Sequence, residues 1–200
     1  GPVPKRSVIE EELKHVGYKN IKIEYNDDGT AVITLLDPGC KVDLGAVAKG
    51  YIADKIKSAL IEEKVSSAII NLGGNVLLLG NKPDGSLFKV GIQDPKHEGG
   101  ISATVSASDI SVVTSGVYER YFVENGIHYH HILDAKTGYP SDSKLLGLTI
   151  LSPTSTEGDC LSTTCFILGY EKGMELIESL DNVEALFITD DGSVHRSPGF

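Results

Sequence analysis

The run Ser67-Ala68-Ile69-Ile70-Asn71-Leu72-Gly73-Gly74-Asn75-Val76-Leu77-Leu78-Leu79 decides the fold class. Ser67–Leu72 and Val76–Leu79 read as strands. Paired glycines between them permit either a tight hairpin or a close approach of backbone to a ligand, and the hairpin is the plainer reading. Upstream the period changes. From Ala46 to about Glu63, Ile52, Ile56, Ala59 and Leu60 fall on one helical face, with Lys55, Lys57 and Glu62 elsewhere. Downstream, strands are expected at Phe88–Ile92, Ser111–Thr114, Tyr129–Leu133 and Gly147–Leu151, with a turn at Lys82-Pro83-Asp84-Gly85. Helices follow at about Glu157–Leu168, ended by Gly169, and Lys172–Ser179. Ala185–Thr189 and Val194–Arg196 form a last hairpin across Asp190-Asp191-Gly192. At the other end, Ser7 and Glu10 read as a capping box opening a helix to about Val16. Alternating Ile21, Ile23, Tyr25 and Ala31, Ile33, Leu35 flank an Asn26-Asp27-Asp28-Gly29 turn. There is no regular βαβ alternation. The expectation is therefore α+β, with mixed or antiparallel sheets and packed helices, in one domain over residues 1–200.

Composition narrows the function. Eighteen Lys plus Arg against 28 Asp plus Glu leave a net charge of −10 on 200 residues, so nucleic-acid binding, which needs a basic footprint, is excluded. No apolar run reaches the length of a transmembrane segment. Hydrophobic residues at 40% and charged at 23% fit a globular chain and argue against disorder. The 22 glycines exceed the usual share and point to special turns around a ligand. Three cysteines, Cys40, Cys160 and Cys165, make no disulfide framework and no C-x-x-C metal pattern. Cys160 and Cys165 are expected in the core. Gly1-Pro2 looks like the scar of a cleaved tag, so residues 1–6 are expected to be a tag remnant or flexible start, and an export signal could have been cut away with whatever preceded them.

Five short stretches carry residue types suited to chemistry. In Asp43-Leu44-Gly45-Ala46-Val47-Ala48-Lys49-Gly50-Tyr51, small residues sit where a loop enters a helix. Backbone N–H groups and the dipole there can hold phosphate, Lys49 adds a cation, and Asp43 can accept from a ribose or base donor. The second is Asn71-Leu72-Gly73-Gly74-Asn75. The third, Thr114-Ser115-Gly116-Val117-Tyr118-Glu119-Arg120-Tyr121, sets hydroxyls beside a glycine after a strand, while Glu119 and Arg120 read as a solvated pair. The fourth is His128-Tyr129-His130-His131-Ile132-Leu133-Asp134. Alternation sends His131 and Leu133 to one face and His130 and Ile132 to the other, and one imidazole could serve as a general base. The fifth places Asp159 and Thr163 four apart on a predicted helix, with Ser162 in reach. A carboxylate and a hydroxyl are hard ligands, suited to Mg²⁺ rather than Zn²⁺. Each has a bland alternative, such as a helix start, a hairpin, an edge strand or a dipole-favoured Asp.

Taken in order, D-L-G-A-V-A-K-G-Y, N-L-G-G-N, T-S-G-V-Y-E-R-Y, H-I-L-D-A-K-T-G-Y-P and S-P-T-S-T-E-G-D-C-L-S-T resemble the ApbE-type flavin transferases, the FAD:protein FMN transferases, over about residues 8–168. The resemblance implies Mg²⁺-dependent cleavage of the FAD pyrophosphate, with FMN moved to a Thr or Ser hydroxyl of an acceptor flavoprotein and AMP released. It implies that Asp43 and Lys49 contact FAD and that Leu133 lines its site. The Ala46 carbonyl, Asp159 and Thr163 would bind Mg²⁺, and His131 would be the base. Its acceptors are subunits of redox complexes or secreted reductases. That implies an extracytoplasmic site, periplasmic or at the cell surface, with a lipid anchor in the full-length protein as one form of it, although the cytoplasm stays open.

Relatives usually carry an upstream G-x-F-D-type region that embraces the flavin, so the isoalloxazine side of the site is expected to be missing, replaced or supplied by another chain. Ser162 stands where some relatives carry an acidic residue, leaving the metal one charged ligand fewer. Two competing functions follow, FAD hydrolysis to FMN and AMP, and a non-catalytic FAD-binding module.

Overall fold

The computed structural model describes residues 3–97, 99–117 and 121–200. In chain order its elements are α1 (Arg6–Glu12), β1 (Ile21–Tyr25), β2 (Ala31–Leu35), α2 (Ala48–Glu62), β3 (Ala68–Asn71), β4 (Asn75–Leu79), β5 (Phe88–Gln93), β6 (Ile101–Ala107) and β7 (Ser111–Gly116). There follow β8 (Tyr121–Glu124), β9 (Ile127–His130), β10 (Leu145–Ser152), α3 (Ser155–Leu168), α4 (Tyr170–Glu178), β11 (Glu184–Thr189) and β12 (Val194–Arg196). The fold is α+β, and every strand pairing is antiparallel. Among the described residues no helix is long and apolar enough to cross a membrane. The chain divides into two compact units, Gly1–Asp43 with Tyr121–Ser141, and Leu44–Arg120 with Asp142–Phe200.

The larger unit is built on a six-stranded sheet of order β12-β11-β10-β7-β4-β3. The glycine pair closes the β3–β4 hairpin. Gly73 and Gly74 have φ of +62° and +83°, the left-handed conformation that a two-residue I′ turn demands at both positions. Both faces of the sheet are covered, so β10 is buried along almost all of its length and reads as a continuous apolar run instead of alternating. On one face the β5–β6 hairpin packs Ile92 and Val105 onto Val112, Leu151, Leu186 and Ile188. On the other, α3 and α4 enclose Phe166, Ile177 and Phe187, with Tyr170 edge-on to Phe187 at 5.8 Å between ring centres. β6 falls in a stretch of small and hydroxyl residues that offers no strand expectation.

The helix α2 forms where its period predicts, but it turns a different face inward. Gly50 and Ala53 are buried, and Ala53 and Leu60 pack with Ile70 and Leu77 of β3 and β4, while Ile52 and Ile56 stand exposed. Close approach explains the choice. A Cβ on Gly50 would lie 2.7 Å from Thr156 Cα and nearer still to the Ser155 carbonyl, so α2 meets α3 through its small residues. Of the two cysteines expected in the core, Cys165 is fully buried. Cys160, five residues away and about 140° round the helix, is half-exposed.

The smaller unit holds α1 and two hairpins, β1–β2 and β8–β9. The expected capping box does not form. Lys5 is the N-cap, Ser7 lies inside the helix, and Glu10 accepts from Arg6 Nε at 2.8 Å instead of reaching back. The helix is short, with Leu13–His15 continuing as a 3₁₀ turn. Val3, in the stretch expected to be flexible, donates its N–H to Glu124 at 2.9 Å. β9 ends at His130, earlier than expected. Asp134 accepts from the Thr137, Gly138 and Lys136 N–H groups and donates to the Tyr139 carbonyl, and Ser141 donates to Ile132. Residues 131–133 therefore belong to a loop that doubles back on 139–141, with Leu133 bridging Pro140.

Candidate functional site

In the larger unit, four of the five motifs interlock by hydrogen bonds. Leu44 accepts from the Val47 and Ala48 N–H groups, closing the turn that delivers the chain into α2. Ala46 lies exposed in that turn, before the helix proper. The N-cap is Val47, which has no side chain able to cap. The acceptor comes from α3 instead, where Asp159 Oδ2 takes the Gly50 N–H at 2.8 Å. Lys49, one residue earlier, donates Nζ to the Gly73 carbonyl at 3.1 Å, tying the first motif to the glycine hairpin. Gly74 accepts from the Thr114 N–H of the third motif at 2.9 Å. Ser115 Oγ donates to Ser162 Oγ at 3.0 Å, and Ser162 donates on to the Asp159 carbonyl. Ser162 thus spends its hydroxyl on backbone and neighbour, away from the Asp159 carboxylate.

Asp159 is 5% exposed, and among the described residues no Lys, Arg or His pairs with it. Thr163, one turn further along α3, is half-buried. Burying a carboxylate costs several kcal/mol unless charge and hydrogen bonds compensate, and one backbone N–H supplies only part of that. The second glycine motif opens on a cleft of about 180 Å³ lined by Asn71, Gly74, Val90, Gln93, Val112 and Thr114.

The remaining predicted residues lie in the smaller unit. Asp43 is exposed at the end of its first segment, and His131 and Leu133 are exposed in the loop after β9, Leu133 at 51%. The exposure pattern follows the alternation expected of a strand even though the strand has ended, because His130 and Ile132 point inward. Burial pushes the His130 pKa down, opposed by a hydrogen bond from Nε2 to the Ser141 carbonyl at 3.2 Å and assisted by the charge of His131. Tyr118, Glu119 and Arg120 of the third motif lie outside the described residues.

Spacing alone missed Asp54. Its Oδ1 accepts from the Ser155 N–H at 2.8 Å, and its Oδ2 from the Thr156 N–H at 2.8 Å and the Thr156 hydroxyl at 2.6 Å. Asp54 of α2 therefore caps α3, while Asp159 of α3 caps α2. The available signal was Gly50 and Asp54 four apart on one helical face. Ser155 and Asn75 were missed as well. The Ser155 hydroxyl donates to Asn75 Oδ1 at 2.6 Å and accepts from Ser111 at 3.0 Å, all three fully buried.

The ApbE family model matches residues 1–187. A protein of Treponema pallidum (strain Nichols) named FAD:protein FMN transferase is 39% identical over 208 residues, covering 98% of this chain and 58% of its own length. One of the same name from Klebsiella pneumoniae (strain 342) is 40% identical over 169 residues, covering 84% and 52%. The crystal structure of an ApbE protein from Thermotoga maritima superposes with a TM-score of 0.88 at 33% identity, covering 100% of this chain and 63% of that one. The flavin transferase ApbE from Vibrio cholerae gives 0.86 at 26% identity, covering 100% and 62%. The chain spans about half the length of the curated relatives it matches.

Proposed function

The chain belongs to the ApbE family, and from that premise we propose that it takes part in moving FMN from FAD to a Thr or Ser hydroxyl of an acceptor flavoprotein, with Mg²⁺ bound and AMP as the leaving group. The observation that carries the reading is the 2.8 Å hydrogen bond from Gly50 N–H to Asp159 Oδ2, which sets the lysine-bearing turn beside the buried carboxylate.

A small hard cation fits this corner. Asp159 is buried and has no cationic side chain beside it among the described residues, and the nearby donors are oxygens. The Asp159 carboxylate, the Thr163 hydroxyl and the Ala46 carbonyl would hold Mg²⁺, which when bound neutralises charge on pyrophosphate oxygens. The chain's own residues supply the rest. Lys49 presents an ammonium at the glycine turn, and α2 begins there with its positive dipole end, both suited to a phosphate. With a net charge of −10, such local cations are needed if a pyrophosphate is to be held at all. Asp43 would accept from FAD and Leu133 would line the site. His131 would take the proton of the acceptor hydroxyl as its oxygen bonds to the FMN phosphorus and the bond to AMP breaks. We place the reaction outside the cytoplasm, with a redox-complex subunit or secreted reductase as acceptor.

The test is incubation with FAD, Mg²⁺ and a flavoprotein acceptor. A fluorescent acceptor band that survives denaturation, with AMP in equal amount, is the expected result. AMP released without acceptor labelling would replace transfer by FAD hydrolysis, and FAD binding without AMP would leave a binding module.

A further inference from the structure

We propose that Asp54 is a positioning residue for the Asp159 carboxylate, acting through the reciprocal capping of α2 and α3. The inference rests on the reading of Asp159 as a cation ligand and adds to it the device that sets that ligand's place. Where α2 meets α3 the side chains are small or polar at the closest approach. Gly50 and Ala53 of α2 and Ser155, Gly158 and Asp159 of α3 are buried, and Gly50 lets the backbones approach until the Ser155 carbonyl crowds the place a Cβ would take. Apolar burial is non-directional, whereas hydrogen bonds to a charged group are directional and strong.

The directional contacts run both ways. Both Asp54 oxygens take the first N–H groups of α3, and Thr156 adds its hydroxyl. One turn along α3, Asp159 returns a carboxylate oxygen to Gly50, one turn before Asp54 on α2. Together they close a ring of contacts across the two helices, in which the position of Asp159 relative to the Lys49 turn depends on Asp54. The hydroxyl of Ser155 anchors the same end of α3 to Asn75 and Ser111 of the sheet, so the ring is fixed to the scaffold. Asp54 touches neither cation nor FAD in this scheme. It holds the ligand that does.

Mn²⁺ binding, followed by electron paramagnetic resonance in the presence of FAD, reads this without relying on turnover. Asp54→Asn keeps the shape but turns an amide toward a backbone donor, and it is expected to weaken Mn²⁺ binding by about tenfold to a hundredfold, the usual cost of losing a residue that orients a metal ligand. Transfer should recover as Mn²⁺ is raised. Thr156→Val removes one donor to Asp54 and is expected to weaken Mn²⁺ by about threefold. If Asp54→Asn fails to fold, Thr156→Val decides alone. Ile177→Val, on α4, is the control for stability loss and should leave Mn²⁺ affinity unchanged. Wild-type affinity in Asp54→Asn or Thr156→Val, or an equal loss in Ile177→Val, overturns the role of Asp54 and leaves the function standing. Absence of Mn²⁺ binding in the wild type overturns the reading of Asp159, and this inference with it.

Discussion

Against the β5–β6 hairpin the six-stranded sheet presents Val112, Leu151, Leu186 and Ile188. Against α3 it presents Ser111, Ser115 and Ser152 among Val113 and Ile150, and α3 answers with Ser155, Gly158, Asp159 and Ser162, all buried. One sheet thus has two kinds of interior. On the first face the free energy comes from area, about 25 cal/mol per Å² of apolar surface, and has no preferred direction. On the second, each hydroxyl pair adds only about 1 kcal/mol net, but it holds one geometry. Both faces carry apolar core, since α3 and α4 also enclose Phe166, Ile177 and Phe187; the helical face adds a polar layer that sets where Asp159 and the Lys49 turn stand.

If that division is right, substitutions on the two faces separate activity from stability. The largest effect should be Asp159→Ala. Transfer is expected to fall by about a thousandfold or more, since the chemistry assigned to that corner is worth several kcal/mol. Thermal stability should move by no more than about 2 kcal/mol, because the lost Gly50 hydrogen bond is offset by removing a buried charge. Calorimetry alongside an AMP assay reads both, and full activity at low Mg²⁺ would end the metal assignment.

Leu186→Ala tests the other face. The side chain is fully buried in the apolar layer, so the truncation is expected to cost about 2–5 kcal/mol of stability, while activity per folded molecule stays near wild type. Denaturant titration with activity measured well below the midpoint distinguishes the two. A loss of specific activity at low denaturant would mean that the apolar face also positions the site.

Ser162→Ala should show the reverse at smaller scale. Its hydroxyl links Ser115 to the Asp159 carbonyl, and losing it takes the partner from the half-buried Ser115 donor, at about 1 kcal/mol. Activity is expected to drop several-fold through the apparent Mg²⁺ requirement, measured as the cation concentration for half-maximal rate. An unchanged requirement would reduce this layer to packing.

Most elements of both faces were legible in the sequence, and the long-range hydrogen bonds that join them were not. Period-two and period-3.6 patterns located the sheet strands β3, β4, β5, β7, β10 and β11 and the helices α2, α3 and α4, because those signals are local. β6, with Ser102, Ala103, Thr104 and Ser106, carries too little hydrophobic contrast to be read. Ser7 looked like a cap because the motif is local, yet Arg6 takes the Glu10 side chain that the box requires. Asp159, Thr163 and Lys49 could be singled out by residue type, but their roles came from family resemblance. The reciprocal caps between Asp54 and α3 and between Asp159 and α2 join residues 101 and 109 apart in sequence, and no local spacing announces such a pair.

On the helical face the polar layer gives way to apolar core along α3 itself, and its thiols report the change. Cys165 lies toward the apolar end, fully buried, its Sγ directed at the Gly173 carbonyl at 3.8 Å, and burial pushes its pKa up to about 11. At pH 8 its thiolate would be about one part in a thousand, and that fraction is shielded from reagent. Cys160, five residues nearer the start, is partly exposed. Its pKa is raised as well, first by burial and then by the Asp159 charge. Iodoacetamide at pH 8, read peptide by peptide in a mass spectrometer, should therefore modify Cys160 slowly and leave Cys165 untouched until the protein unfolds. Asp159→Asn removes the neighbouring charge and should speed Cys160 alone. Equal labelling of the two thiols in the native protein would show that the packed end of α3 opens as readily as the end bearing the site, and the contrast between the polar layer and the apolar core beside it would not hold.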